Sequence, residues 1–79
     1  MAIINSGAII EHDCVVDDYT HVAVGAILCG GVKVGKRSFI GAGTTVIHGV
    51  IIGDSCIVGA GSTVLKNVGG SSKTSGLIR

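Results

Sequence analysis

The chain has 79 residues, a net charge of +1, 47% hydrophobic residues and 14 glycines, with no proline and no tryptophan. That length holds one domain at most, and a chain of this size buries only about 60% of its unfolded surface, so help in reaching stability is expected. Acids and bases are scattered, which excludes a nucleic-acid or membrane-surface patch, and the uncharged run over residues 38–53 is broken too often by Gly, Ser and Thr for a membrane helix of about 20 apolar residues.

The first predicted strand ends at Ile4, and from there an aliphatic residue returns every six positions. Ile10 and Val16 complete a first coil, Val22, Leu28 and Val34 a second, Ile40, Val46 and Ile52 a third, and Val58 and Val64 begin a fourth. Eleven hits in a row is far above chance in a chain that is about a third Ile, Leu and Val. A six-residue period fits neither an amphipathic helix nor an ordinary strand, and it is a signature of parallel β-helices. The expected fold is therefore all-β, a single-stranded parallel β-helix of about 3.5 coils.

Other positions keep the same frame. The residue four places after each aliphatic one is small or β-branched, as at Ala8, Cys14, Thr20 and Ala26, and can share a narrow interior. Gly35, Gly41, Gly53 and Gly59 fall one place after the aliphatic residue, and Gly7, Gly25, Gly31, Gly43, Gly49 and Gly61 fall three after. These phases are the expected corners, where positive φ or close backbone approach favours Gly. With three hexapeptides per coil, residues 18 apart stack at about 4.8 Å. Asp18, Lys36 and Asp54 then form a charged, solvated column. Ile3, His21, Phe39 and Ile57 form an outward, mainly apolar one of the kind that marks an oligomer contact.

At the far end, Gly70 and Gly76 stand where the next aliphatic residues belong. Residues 1–68 are thus read as the β-helix and residues 69–79 as a flexible Gly/Ser tail. The repeat begins almost at Met1 with no polar cap over its first coil, as expected of a fragment of a longer protein. Cys14, Cys29 and Cys56 are odd in number and lack Cys-x-x-Cys spacing. No leader-type segment precedes the repeat, so a reducing, cytoplasmic setting is expected.

The run Ile10-Glu11-His12-Asp13-Cys14-Val15, followed by Thr20-His21-Val22-Ala23-Val24-Gly25-Ala26, resembles the start of the β-helix domain in the NeuD/PglD-like sugar O- or N-acetyltransferases. Phe39-Ile40-Gly41-Ala42-Gly43 and Ile57-Val58-Gly59-Ala60-Gly61 continue the likeness, which covers about residues 3–68. The resemblance implies a left-handed coil, whereas the general rule for parallel crossovers is right-handed. It also implies acetyl transfer from acetyl-CoA to an amino or hydroxyl group of a sugar, commonly a nucleotide-linked amino sugar or a sialic acid, by a homotrimer with its active site between subunits. Two departures stand out. The family's N-terminal sugar-binding domain has no counterpart in this chain, and its closing G-x-P-A-[KR] segment is replaced by the Gly/Ser tail.

Acyl transfer needs a base for the attacking amine or hydroxyl, and imidazole suits that role near neutral pH. His12 sits at an outward phase, where the resemblance puts the base and where the repeat alone equally allows a surface His. Asp13 either orients His12, which requires both to lie on a corner, or is a corner Asp bonded to its own backbone. His21 either meets the thioester end of acetyl-CoA, as the resemblance implies, or packs against a neighbouring chain. Ala42 and Ala60 are placed by the resemblance against acetyl-CoA, and by the repeat alone are small corner residues.

No metal is expected. His48 lies two coils from His12, and the γ-class carbonic anhydrases that share this helix would need a further His where Gly53 stands. Cys14 and Cys56 read as inert inward residues and Cys29 as a corner residue. No Ser-His-Asp set, P-loop or dinucleotide fingerprint occurs. The competing class is a trimeric β-helix scaffold, or a truncated product, without turnover.

Overall fold

The computed structural model describes residues 2–79, and among them every regular element is a two-residue strand. The strands lie on three faces, all paired in parallel. On the first face Ile3–Ile4, His21–Val22, Phe39–Ile40, Ile57–Val58 and Lys73–Thr74 stack in that order. The second carries Ile9–Ile10, Ile27–Leu28, Thr45–Val46, Thr63–Val64 and Leu77–Ile78, and the third Val15–Val16, Lys33–Val34 and Ile51–Ile52. Partners up to residue 64 are 18 apart, as with His21 and Phe39, so the expected columns are real.

The second residue of each strand points inward. Val22, Leu28, Ile40, Val46, Val58 and Val64 are fully buried, and removing such a side chain from water is worth about 1.5–3 kcal/mol. Ile4, on the first coil, has a neighbour on one side only and is 49% exposed. The small inward residues have a second task. Thr20 Oγ1 donates to Gly35 O (2.7 Å), Ser38 Oγ to Gly53 O (2.7 Å) and Cys14 Sγ to Cys29 O (3.1 Å), each capping a corner carbonyl of the next coil. The three thiols are free, and Cys14 and Cys56 are therefore hydrogen-bond donors as well as small apolar fillers.

The two glycine phases do different jobs. Gly7, Gly25, Gly31, Gly43, Gly49 and Gly61 have φ between 69° and 73°. Gly35, Gly41, Gly53 and Gly59 are instead held against the next coil, where a Cβ would meet other atoms at 2.2–2.8 Å. At the charged column, Lys36 N–H donates to Asp54 Oδ1 at 2.8 Å, so backbone and carboxylate link the two coils.

The expectation of a flexible tail from residue 69 is corrected by the structure. Val68 bridges to Ile52, Lys73 pairs with Ile57, and Leu77 pairs with Thr63, at spacings of 16, 16 and 14 residues. The corners between Val64 and Val68, and between Thr74 and Ile78, are each two residues shorter than earlier ones. The inward row therefore continues through Val68, Thr74 and Ile78, out of step with the sixfold frame. The solenoid accordingly runs for about four coils rather than 3.5. Ile78 is only 8% exposed and belongs to the core. Ile78→Ala is expected to lower unfolding stability by about 2 kcal/mol in urea denaturation, whereas a loose tail would give no change.

Candidate active site

His12 and Asp13 lie on the corner between the second and third faces. Asp13 has φ 61°, the left-handed conformation that Asp tolerates better than most residues. The turn brings the carboxylate back to its neighbour, with His12 Nδ1 3.2 Å from Asp13 Oδ2. A neutral imidazole that donates from Nδ1 has Nε2 free to accept a proton. Both side chains are more than four-fifths exposed, so an incoming amine or hydroxyl can reach them. The corner geometry that cooperation of the pair requires is present.

Gly30 is the residue that sequence reasoning missed beside this pair. It sits 18 positions above His12, and the imidazole lies along it: a Cβ on Gly30 would stand 3.1 Å from Cε1 and 3.2 Å from Nε2. The visible signal is a lone Gly between two histidines in the column His12, Gly30, His48. Gly30→Ala is expected to push the ring by a few tenths of an ångström, with little change in thermal stability. The NMR shifts of the His12 ring beside a melting curve check this. His48 is exposed on the same corner. Among the described residues no group of three His, Cys, Asp or Glu side chains is placed to hold a metal ion.

His21 projects from the first face. Asn5 Nδ2 donates to its Nε2 at 2.7 Å, so in the neutral ring the proton sits on Nδ1, available to a carbonyl or oxyanion. Its ring tilts on Phe39, with centroids 5.2 Å apart at 58°, within the range of favourable ring contacts. Asn5 was not foreseen. Its signal is that it is the one amide in a column otherwise made of Ala23, Gly41 and Gly59. Ala42 and Ala60 are exposed on the corner between the first and second faces, joined through Gly61 N–H to Ala42 O at 2.8 Å.

The structure thus splits the candidate site into two halves. Asn5, His21, Phe39 and the alanine corner share one side of the triangular section. His12, Asp13 and Gly30 occupy the corner opposite the first face, half a coil away in sequence. One chain does not bring its two candidate histidines together.

Residues 31–66 match the bacterial transferase hexapeptide family, six repeats. The whole fold is similar to a histidine-to-alanine variant of GDP-perosamine N-acetyl transferase from Caulobacter crescentus, solved with CoA and GDP-perosamine. The TM-score is 0.94 and the identity 44%, covering 95% of this chain and 36% of that one. The acetyltransferase domain of PglB from Neisseria gonorrhoeae, in complex with acetyl coenzyme A, matches with a TM-score of 0.94 and 29% identity over 95% of this chain and 37% of that one. Serine acetyltransferase isoform 3 from Entamoeba histolytica, at 18% identity and a TM-score of 0.71 over 92% of this chain and 34% of that one, shares the fold. The architecture is that of the left-handed β-helix acetyltransferases. This chain spans about a third of the length of the structures it matches.

Proposed function

We propose that this hexapeptide-repeat chain, similar to the NeuD/PglD-like sugar acetyltransferases, forms the acetyl-CoA-binding and catalytic part of such an enzyme. The observation that carries the reading is the pairing of His12 with Asp13 on an open corner, within a fold 44% identical to an acetyltransferase solved with CoA and a nucleotide-linked amino sugar. The acceptor is a nucleotide-linked amino sugar, and acetyl-CoA is the donor.

Transfer is direct. His12 Nε2 takes a proton from the acceptor amine while the nitrogen attacks the thioester carbon. The C–N bond forms, the C–S bond breaks, and the CoA thiolate leaves and is protonated by the imidazolium. Asp13 accepts from His12 Nδ1 and holds the imidazole in orientation. The Nδ1–H of His21, kept as a donor by Asn5, faces the carbonyl oxygen as negative charge develops on it. The pantetheine arm lies along Ala42 and Ala60, where small side chains admit it to the backbone. Because the two half-sites are on opposite sides of one chain, a homotrimer completes each site with His12 of one subunit and His21 of the next. A ring of such head-to-tail contacts closes by threefold symmetry.

Calorimetry with acetyl-CoA tests the reading: saturable binding is expected, and a scaffold without turnover would show none. His12→Ala is expected to keep that binding and the oligomer while losing transfer by at least about a hundredfold. Full activity in the variant would remove His12 from the role of base.

A further inference from the structure

Tyr19 stands out at the corner before His21. Its φ is 61°, in the phase that Gly fills six times, and its non-Gly companions before residue 64 are Asp13, Arg37 and Ser55. A bulky aromatic in this conformation is an outlier. Packing does not explain it, since Tyr19 is 71% exposed. The ring borders an open depression of about 330 Å³ lined by Ile3, Tyr19, Thr20 and His21. Thr20 offers that space no free hydroxyl hydrogen, because it donates to Gly35 O. What remains is an aromatic ring with a polar tip, an aliphatic wall and the imidazole.

We infer that Tyr19 is a specificity-determining residue whose ring stacks on the pyranose of the acceptor, a step that rests on the acetyltransferase reading. A pyranose is the ligand with matching faces: its axial C–H bonds make an apolar side for the ring, and its hydroxyls and amine project at the edge. The electron-rich face of an aromatic ring attracts such polarised hydrogens. The volume is at the small end of ligand sites, enough for one sugar ring rather than for the whole CoA arm. Stacking here leaves the amine beside His21, where the acetyl carbonyl is held. Strain retained at an exposed position beside a reactive group is how such sites are commonly built.

Tyr19 is the single tyrosine, and there is no tryptophan, so emission excited in the tyrosine band, where Phe39 does not absorb, reports on Tyr19 alone. Titration with the methyl glycoside of perosamine is expected to change that emission saturably. Tyr19→Gly suits the backbone, and is expected to melt at the same temperature or higher and to bind acetyl-CoA unchanged. Its affinity for the glycoside, followed by saturation-transfer NMR, should fall about tenfold or more, and Tyr19→Phe should retain most of it. Unchanged glycoside binding in Tyr19→Gly would overturn the inference. So would dissociation of the oligomer in that variant, which would assign the ring to a subunit contact. Acetyl-CoA binding without Tyr19-dependent sugar binding counts against this inference alone. Sugar binding without acetyl-CoA binding counts against the acetyltransferase reading alone.

Discussion

Co-expression of His12→Ala and His21→Ala chains is expected to restore transfer that neither variant has alone. In the proposed closed trimer each site draws His12 from one subunit and His21 from the next, so random mixing leaves about a quarter of the sites with both imidazoles. The expected activity is therefore about a quarter of the wild-type value, against single-variant losses on the order of a hundredfold or more. The physical basis is the placement of His12 on the corner opposite the first face, from which His21 projects. No side-chain rotation carries an imidazole across the packed interior of Val22, Ile40 and Val58 between them. The unfractionated mixture gives this measurement, and heterotrimers isolated by differently sized tags, with one complete site in three, are expected to show about a third of the wild-type value. No recovery in trimers shown to contain both chains would place the complete site within one subunit.

Alanine at Gly41 should cost far more stability than alanine at Gly43, although the two glycines are two residues apart. A Cβ on Gly41 would sit 2.5 Å from Ala60 N and 2.7 Å from both Gly59 C and Val58 O. All three are backbone atoms, so relief requires prising two coils apart and weakening the bond from Gly41 N–H to Val58 O, now 2.8 Å. A loss of about 3 kcal/mol or more is expected. Gly43 has φ 69° and open space around its missing Cβ, so Gly43→Ala carries only the conformational cost of a left-handed residue, about 1 kcal/mol. Urea midpoints at constant slope compare the two directly. Equal losses would mean that the coils are not in the contact described.

Much of the scaffold is legible in the amino-acid order because a β-helix repeats by translation. Each residue meets those 18 before and after it, so Ile3, His21, Phe39 and Ile57 could be aligned by counting. The same rule separated His12 from His48 and put Asp13 on a corner. It fails where the spacing itself changes. Shortened corners before Val68 and Ile78 shift the inward row, and a frame held at six residues reads Gly70 and Gly76 as the end of order. Polar pairs that lean between columns are also hidden. Asn5 reaches His21 over 16 residues rather than 18, because its side chain rises to the next coil and leans back along the strand.

By itself the sequence determined the solenoid, its inward aliphatic row, the two classes of corner glycine and the outward histidines, since each follows from a local pattern repeated at constant interval. Only the tertiary structure decided that the last eleven residues close a further coil, that His12 lies along Gly30, that Asn5 sets the proton of His21, and that the two histidines face opposite ways. These depend on corner lengths and on side-chain reach between stacked coils, which a period in one dimension does not contain.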